Sequence, residues 1–331
     1  AVAETFRKAA IAHFKVSGSD LFAQPGIKLL LVHLNVLARP NDFLSWARLL
    51  SGLHVFEQSF AARNFVRASL NLAILPSDHL RSDGGTYLND FVSACHEGEL
   101  VVFDTETTGL DVFHDDIVQI AAVKMRNGLV VPGSALSLFI RTTRPIPAKL
   151  GDIDNPIIEE LKHHELLEPA QALKQFVDYV GTRPLLGHNA DYDYHILDHN
   201  LRRYCPEIQL SSQCPVYFDS LKLIRQLEPD LKVYKLKALL AALNLEGENS
   251  HLADEDVNAT CSLVNYCIGK ALPLLPKQQA FMKEDRVVRR ARVLRARYAQ
   301  CYHEAQARLY QPLATDAMPA LVAELQRFYH L

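Results

Sequence analysis

Residues 101–110 read VVFDTETTGL and place two carboxylates one residue apart at the end of an apolar run. Alternate residues of a strand point to the same face, so a strand here would set Asp104 and Glu106 side by side. Two carboxylates this close repel each other and raise each other's pKa unless a cation neutralises them. An isolated Asp-x-Glu is more often a solvated strand end, but the DTETTG context favours a divalent metal site.

Two further acidic segments lie downstream, at 186–197 (LGHNADYDYHIL) and 251–257 (HLADEDV). In the first, Asp191 is the better candidate for the N-cap of a helix, which leaves Asp193 as the candidate ligand. In the second, Asp256 begins an amphipathic helix and His251 lies on the loop ahead of it. A histidine gains a proton near neutral pH, so His251 suits a general base.

Together these segments supply enough oxygen ligands for two hard cations, which we expect to be Mg²⁺ or Mn²⁺. Two such ions about 3.5–4 Å apart can activate a water molecule and stabilise the leaving oxygen of a phosphoryl group. The chemistry indicated is phosphodiester hydrolysis. The predicted metal ligands are Asp104, Glu106, Asp193 and Asp256.

Composition limits the class of protein. Apolar residues make up 49% and charged residues 22% of 331 residues, as in globular proteins with a sizeable core. The net charge of −3 gives no global signature of a nucleic-acid binder. Scattered cysteines without a CxxC motif favour a cytoplasmic protein. The apolar run at 27–38 is too short for a membrane span of roughly 20 residues, and we expect no membrane contact.

Three regions with different patterns follow one another along the chain. Residues 1–94 are predicted to be helical, with helices at 3–14, 27–37, 43–53 and 57–72 and a polar linker at 76–87 that contains Gly84 and Gly85. Residues 95–272 are predicted to form an α/β domain, with strands at 100–104, 117–125, 135–140 and 185–187. Helices are expected there at 168–180 and 192–204. Residues 273–331 return to a helical pattern.

The three acidic motifs, in this order, resemble the DnaQ-like family of 3′-to-5′ exonucleases in its histidine-bearing DEDD subclass. The resemblance covers about residues 99–270 and implies a ribonuclease-H-like fold, a mixed five-stranded sheet with flanking helices. It also implies a single-stranded or frayed 3′ end of DNA as substrate. The catalytic residues implied are Asp104, Glu106, Asp193, His251 and Asp256.

The same resemblance implies how the end of the strand is bound. The turn at 107–110 would hold the terminal nucleotide, with a hydroxyl and backbone amides at its 3′ end and Leu110 packed on the base. The implied substrate contacts are Thr107, Gly109, Leu110, His188 and Asn189. One departure from the family's proofreading members is the segment at 147–156, which replaces a His-Gly-Ile motif, so their substrate preference does not transfer.

A second resemblance concerns residues 14–22 and 26–42, which are similar to the accessory region of UvrD/Rep-type DNA helicases. No GxxxxGK[ST] phosphate loop occurs in the chain, so it should not itself bind ATP as a helicase does. The expectation is the exonuclease-containing fragment of such a helicase, with the remaining helicase domains as partners; the Ala at position 1 also suggests a piece or a processed product. Two alternatives stay open, an exonuclease that trims RNA 3′ ends and an inactive binding or scaffolding module.

Overall fold

The computed structural model describes residues 25–150, 152–247 and 252–309. They divide into two compact units. One consists of residues 70–78 and 82–284, and the other consists of residues 79–81 and the described parts of 1–69 and 285–331. None of the described helices is long and apolar enough to cross a lipid bilayer.

The elements are numbered in chain order. The first part of the chain forms α1 (Pro25–Ala38), α2 (Phe43–Gly52), α3 (Ser59–Leu70), a 3₁₀ helix (Pro76–Leu80) and α4 (Tyr87–Glu97). The strands are β1 (Leu100–Thr107), β2 (Ile117–Arg126), β3 (Leu129–Val130), β4 (Leu136–Ile140), β5 (Lys149–Leu150), β6 (Ile153–Asp154), β7 (Leu166–Leu167), β8 (Leu185–Gly187) and β9 (Tyr217–Asp219). The other helices are α5 (Ile157–His163), α6 (Pro169–Val180), α7 (Ala190–Tyr204), α8 (Leu210–Gln213), α9 (Ser220–Leu227), α10 (Leu236–Leu243), α11 (Ala253–Ala271), α12 (Leu275–Met282) and α13 (Asp285–Leu309).

A mixed sheet organises the larger unit, with strand order β7-β4-β2-β1-β8-β9 and β3 paired with β2. Strand β1 pairs antiparallel with β2 and parallel with β8. The predicted α/β fold with a ribonuclease-H-like mixed sheet is therefore confirmed. The two-residue strands β3 and β7 extend the expected five strands to seven, because strands this short leave no periodic pattern in the sequence.

Strand β1 lies at the centre of this sheet and separates two hydrophobic clusters. Leu100 and Val102 pack into one cluster, to which α11 contributes, whereas Val101 and Phe103 pack into the other, to which α7 contributes. Burial on both faces explains why the strand begins as a continuous apolar run. The period of two then directs Asp104 and Glu106 toward the face covered by α11.

Most predicted elements are found within two or three residues of their expected bounds. Helices α1, α2 and α3 match three of the four predicted at the start of the chain, and the fourth, at 3–14, lies outside the described residues. Helix α4 was not predicted, although Thr86 caps it by accepting a hydrogen bond from the backbone of Asn89 at 3.1 Å. The diglycine at 84–85 had favoured a linker there.

Candidate active site

Three predicted ligands converge at the end of β1. One carboxylate oxygen from each of Asp104, Glu106 and Asp256 lies within 4.8 Å of the other two. Asp104 and Glu106 come from β1 and are partly buried, whereas Asp256 comes from the first turn of α11 and is only 7% exposed. Oxygen ligands in such a group suit hard divalent cations.

Asp193, the fourth predicted ligand, lies in the first turn of α7 and is 5% exposed. Its Oδ1 atom accepts hydrogen bonds from the backbone N–H of Thr105 at 3.1 Å and from the Thr105 hydroxyl at 2.6 Å. Thr105 stands between Asp104 and Glu106 in the sequence, so these bonds tie α7 to the acidic end of β1. Asp193 is a neighbour of the three-carboxylate group and contributes none of the oxygens that define it.

The electrostatics of the cluster are those of buried like charges. Burial, followed by the charges of Asp193, Glu106 and Asp256, raises the pKa of Asp104 well above its usual value. Burial together with Asp256 and Asp193 raises the pKa of Glu106 to about 8. Burial raises the pKa of Asp193 to about 7, against the hydrogen bonds from Thr105. A bound divalent cation would relieve this repulsion, so the side chains present fit the predicted metal.

The turn that follows β1 packs closely against Tyr192 and Asp115. The Tyr192 hydroxyl donates to the carbonyl oxygen of Gly109 at 2.7 Å and lies 2.8 Å from the Thr107 hydroxyl. A Cβ atom on Gly109 would lie only 2.5 Å from Oδ2 of Asp115, so any other residue here would displace that carboxylate. Leu110 projects from this turn with 89% of its surface exposed. The turn thus presents an exposed apolar side chain four residues after Glu106.

His188 is fixed by the protein at both ring nitrogens. Nε2 lies 3.1 Å from the carbonyl oxygen of Tyr234, which can only accept, so Nε2 carries the proton. Nδ1 lies 2.9 Å from the Ser220 hydroxyl. Burial lowers the pKa of His188 to about 4, and the ring is neutral near pH 7. Its predicted contact with substrate stays a prediction.

Asn189, not Asp191, is the residue at the N-cap of α7, so the predicted role of Asp191 was wrong. Asn189 adopts the left-handed conformation (φ 66°), which asparagine tolerates, and its backbone N–H donates to Asp219 at 2.9 Å. Asp191 is the second residue of the helix and accepts a hydrogen bond from the Tyr217 hydroxyl at 2.7 Å. The substrate contact predicted for Asn189 stays a prediction.

His251, the predicted general base, lies outside the described residues. Its catalytic role stays a prediction. The sequence analysis missed the supporting roles of Thr105 and Tyr192. Each is adjacent in sequence to a predicted ligand, which is the signal that would have drawn attention to them.

Comparisons with known proteins identify relatives of the α/β unit. A family model described as Exonuclease matches residues 101–264. A DNA polymerase III PolC-type protein of Latilactobacillus sakei is 36% identical over 165 residues, which is 49% of this chain and 11% of that protein. One from Caldanaerobacter subterraneus is 31% identical over 188 residues, 56% of this chain and 13% of that protein. The chain therefore spans a small fraction of the length of these curated relatives.

Among solved structures, Escherichia coli Exonuclease I in complex with a dT13 oligonucleotide matches with 20% identity and a TM-score of 0.44. That match covers 54% of this chain and 43% of the other.

Proposed function

We propose that this protein is a metal-dependent 3′-to-5′ exonuclease of the DnaQ-like family that acts on DNA, and the match of residues 101–264 to a family model described as Exonuclease supports this. The observation that carries the proposal is the convergence of Asp104, Glu106 and Asp256 within 4.8 Å. These side chains come from distant parts of the chain, and their mutual repulsion makes the arrangement costly without a cation. The names of the PolC-type relatives support DNA as the substrate class.

In this proposal Asp104, Glu106, Asp193 and Asp256 hold two Mg²⁺ or Mn²⁺ ions. Ions bound there would promote attack by water and stabilise charge on the leaving oxygen. His251 takes a proton from the attacking water, whose oxygen forms a bond to phosphorus. The bond from phosphorus to the 3′ oxygen of the preceding nucleotide breaks, and that oxygen takes up a proton from solvent water, which leaves a new 3′-hydroxyl and releases a nucleoside 5′-monophosphate.

The turn at 107–110 positions the terminal nucleotide for this step. Thr107 and the backbone amides contact its 3′ end, and the exposed Leu110 side chain offers an apolar surface to its base. The segment at 188–189 completes the substrate site. The proposed substrate is a single-stranded or frayed 3′ terminus, whose unpaired base can lie against Leu110.

The domain organisation also belongs to the proposal. In it, residues 95–272 form the exonuclease domain, and the flanking regions at 1–94 and 273–331, whose sequences predict helices, belong to a UvrD/Rep-type helicase-nuclease, whose other domains are the partners. The helix α1 and the polar break after it, where Asp42 caps α2 by accepting from Ser45 at 2.6 Å, support the accessory-region resemblance. The free, buried cysteines among the described residues support a cytoplasmic location.

The test uses a single-stranded DNA oligomer labelled at its 5′ end, with an RNA oligomer of the same sequence beside it. With Mg²⁺ or Mn²⁺ the DNA should shorten one nucleotide at a time from the 3′ end, and EDTA should stop the reaction. Asp104→Asn and His251→Ala should abolish the release, whereas Asp178→Asn, which changes an exposed carboxylate on α6, should not.

Three results would change the assignment. Equal turnover by Asp104→Asn and the unmodified protein would remove it. Preference for the RNA oligomer would select the RNA-trimming alternative. Binding of DNA without any release of nucleotides would select the scaffolding module.

A further inference from the structure

Gln119 is a polar side chain buried within the central sheet. It is the third residue of β2, directly opposite Glu106 in the β1/β2 register, and is 1% exposed. A buried amide is costly unless its hydrogen-bonding groups are satisfied. Gln119 Nε2 donates to Asp254 Oδ2 at 2.9 Å and to the Ser137 hydroxyl at 3.2 Å. Its Oε1 accepts from the backbone N–H of Ala253 at 3.4 Å.

Two of these bonds, those with Ala253 and Asp254, end on the N-terminus of α11. The first N–H groups of a helix have no partner inside the helix and are usually satisfied by a polar N-cap side chain. The N-cap residue of α11 is Leu252, which makes no side-chain cap hydrogen bond. Gln119 provides the missing acceptor from the neighbouring strand, and its donor group holds Asp254 at the same time.

Asp256 lies in the same first turn of α11, two residues beyond Asp254. Its distance from Asp104 and Glu106 therefore depends on where this turn is held against the sheet. We propose that Gln119 is a positioning residue: by capping α11 from β2, it keeps Asp256 within reach of Asp104 and Glu106. The proposal rests on the proposed function in one respect, that these carboxylates bind the metal.

Substitutions that change the hydrogen-bonding groups of the Gln119 side chain test this role. Gln119→Met keeps the approximate volume of the side chain and removes all three hydrogen bonds. Gln119→Glu keeps an acceptor for Ala253, loses both donated bonds and sets a like charge against Asp254. In the double variant Gln119→Glu/Asp254→Asn, the amide introduced at 254 donates to the carboxylate introduced at 119, so the bond is restored in the opposite direction.

The experiment measures Mn²⁺ binding by titration calorimetry, with amide hydrogen exchange of residues 253–256 and steady-state hydrolysis of single-stranded DNA alongside. Supporting polar groups of metal ligands typically contribute about 10- to 100-fold in metal affinity. We expect a loss of about that size in Gln119→Met and Gln119→Glu, faster exchange at 253–256, and an unchanged KM for DNA at saturating metal. The double variant should recover to within about threefold of the unmodified protein.

Two controls define the outcome. Gln171→Glu adds the same charge at an exposed position of α6 and should change none of these quantities. Thermal unfolding identifies any variant that fails to fold, and only folded variants are compared.

Unchanged Mn²⁺ affinity in folded Gln119→Met, or no recovery in the double variant, would overturn the positioning role while leaving the nuclease proposal intact. If the unmodified protein neither binds Mn²⁺ nor hydrolyses DNA, the proposed function fails. Exchange at 253–256 then still decides whether Gln119 holds α11.

Discussion

The metal-free protein should lose stability as pH rises, because of the Glu106 carboxylate. In the folded state burial and the charges of Asp256 and Asp193 raise its pKa from 4.5 to about 8. Between those values the folded protein holds a proton that the unfolded chain has released. Stability therefore falls as pH increases through this window and is lowest above the folded pKa. Glu106→Gln removes the ionisable group and keeps the size of the side chain.

The size of the effect follows from proton linkage for one group. With pKa values of 4.5 unfolded and about 8 folded, the Glu106 contribution to the free energy of unfolding should fall by about 3 kcal/mol between pH 5.5 and pH 8.5. The raised pKa values of Asp104 and Asp193 add to the loss in the same direction. Burial lowers the pKa of His79 and of His188 to about 4. Because the unfolded chain keeps these protons to higher pH, the two histidines increase the free energy of unfolding as pH rises through the acidic part of the same range. The informative quantity is therefore the difference between the unmodified protein and Glu106→Gln, in which the histidine contributions cancel.

Urea unfolding followed by far-ultraviolet circular dichroism, in EDTA at both pH values, measures this difference. The fluorescence of the single tryptophan, Trp46, is not suitable, because Trp46 belongs to the other compact unit. Glu168→Gln, which alters an exposed carboxylate, serves as the control. Parallel pH curves for the unmodified protein and Glu106→Gln would show that Glu106 is not held against its neighbours as described. Mn²⁺ should restore more stability at pH 8.5 than at pH 5.5, because protons compete with the metal for the carboxylates.

Three further predictions concern the turn after β1. Gly109→Ala should raise KM for single-stranded DNA about tenfold, an effect of about 1.4 kcal/mol, because its Cβ would meet Asp115 at 2.5 Å; a KM within twofold of the original would contradict this. Leu110→Ala, at an exposed site, should change stability by less than about 0.5 kcal/mol while weakening binding of the oligonucleotide in a fluorescence anisotropy titration. Tyr192→Phe removes the hydroxyl that bonds Gly109 and should cost about 1 kcal/mol in the free energy of unfolding, measured by urea titration.

Helix α4 was predictable from the sequence. Leu88, Phe91, Val92 and Cys95 recur at helical spacing and are all buried, and Thr86 is an ordinary N-cap residue. Gly84 and Gly85 lie just before this pattern and favour a linker, which is why no helix was predicted here. The sequence therefore contained enough information to predict α4.

The sequence alone determined the α/β class, the positions of the main strands and helices, and the shared face of Asp104 and Glu106, because the periods of two and 3.6 relate each side chain to its own element. Which elements face one another was decided by the tertiary structure. Thr105 reaches Asp193 across 88 residues, and Gln119 reaches Asp254 across 135. Periodicity carries no record of such distant pairs. They arise when the two hydrophobic faces of β1 are covered, one by α7 and the other by α11, and that packing brings the acidic ends of all three elements together.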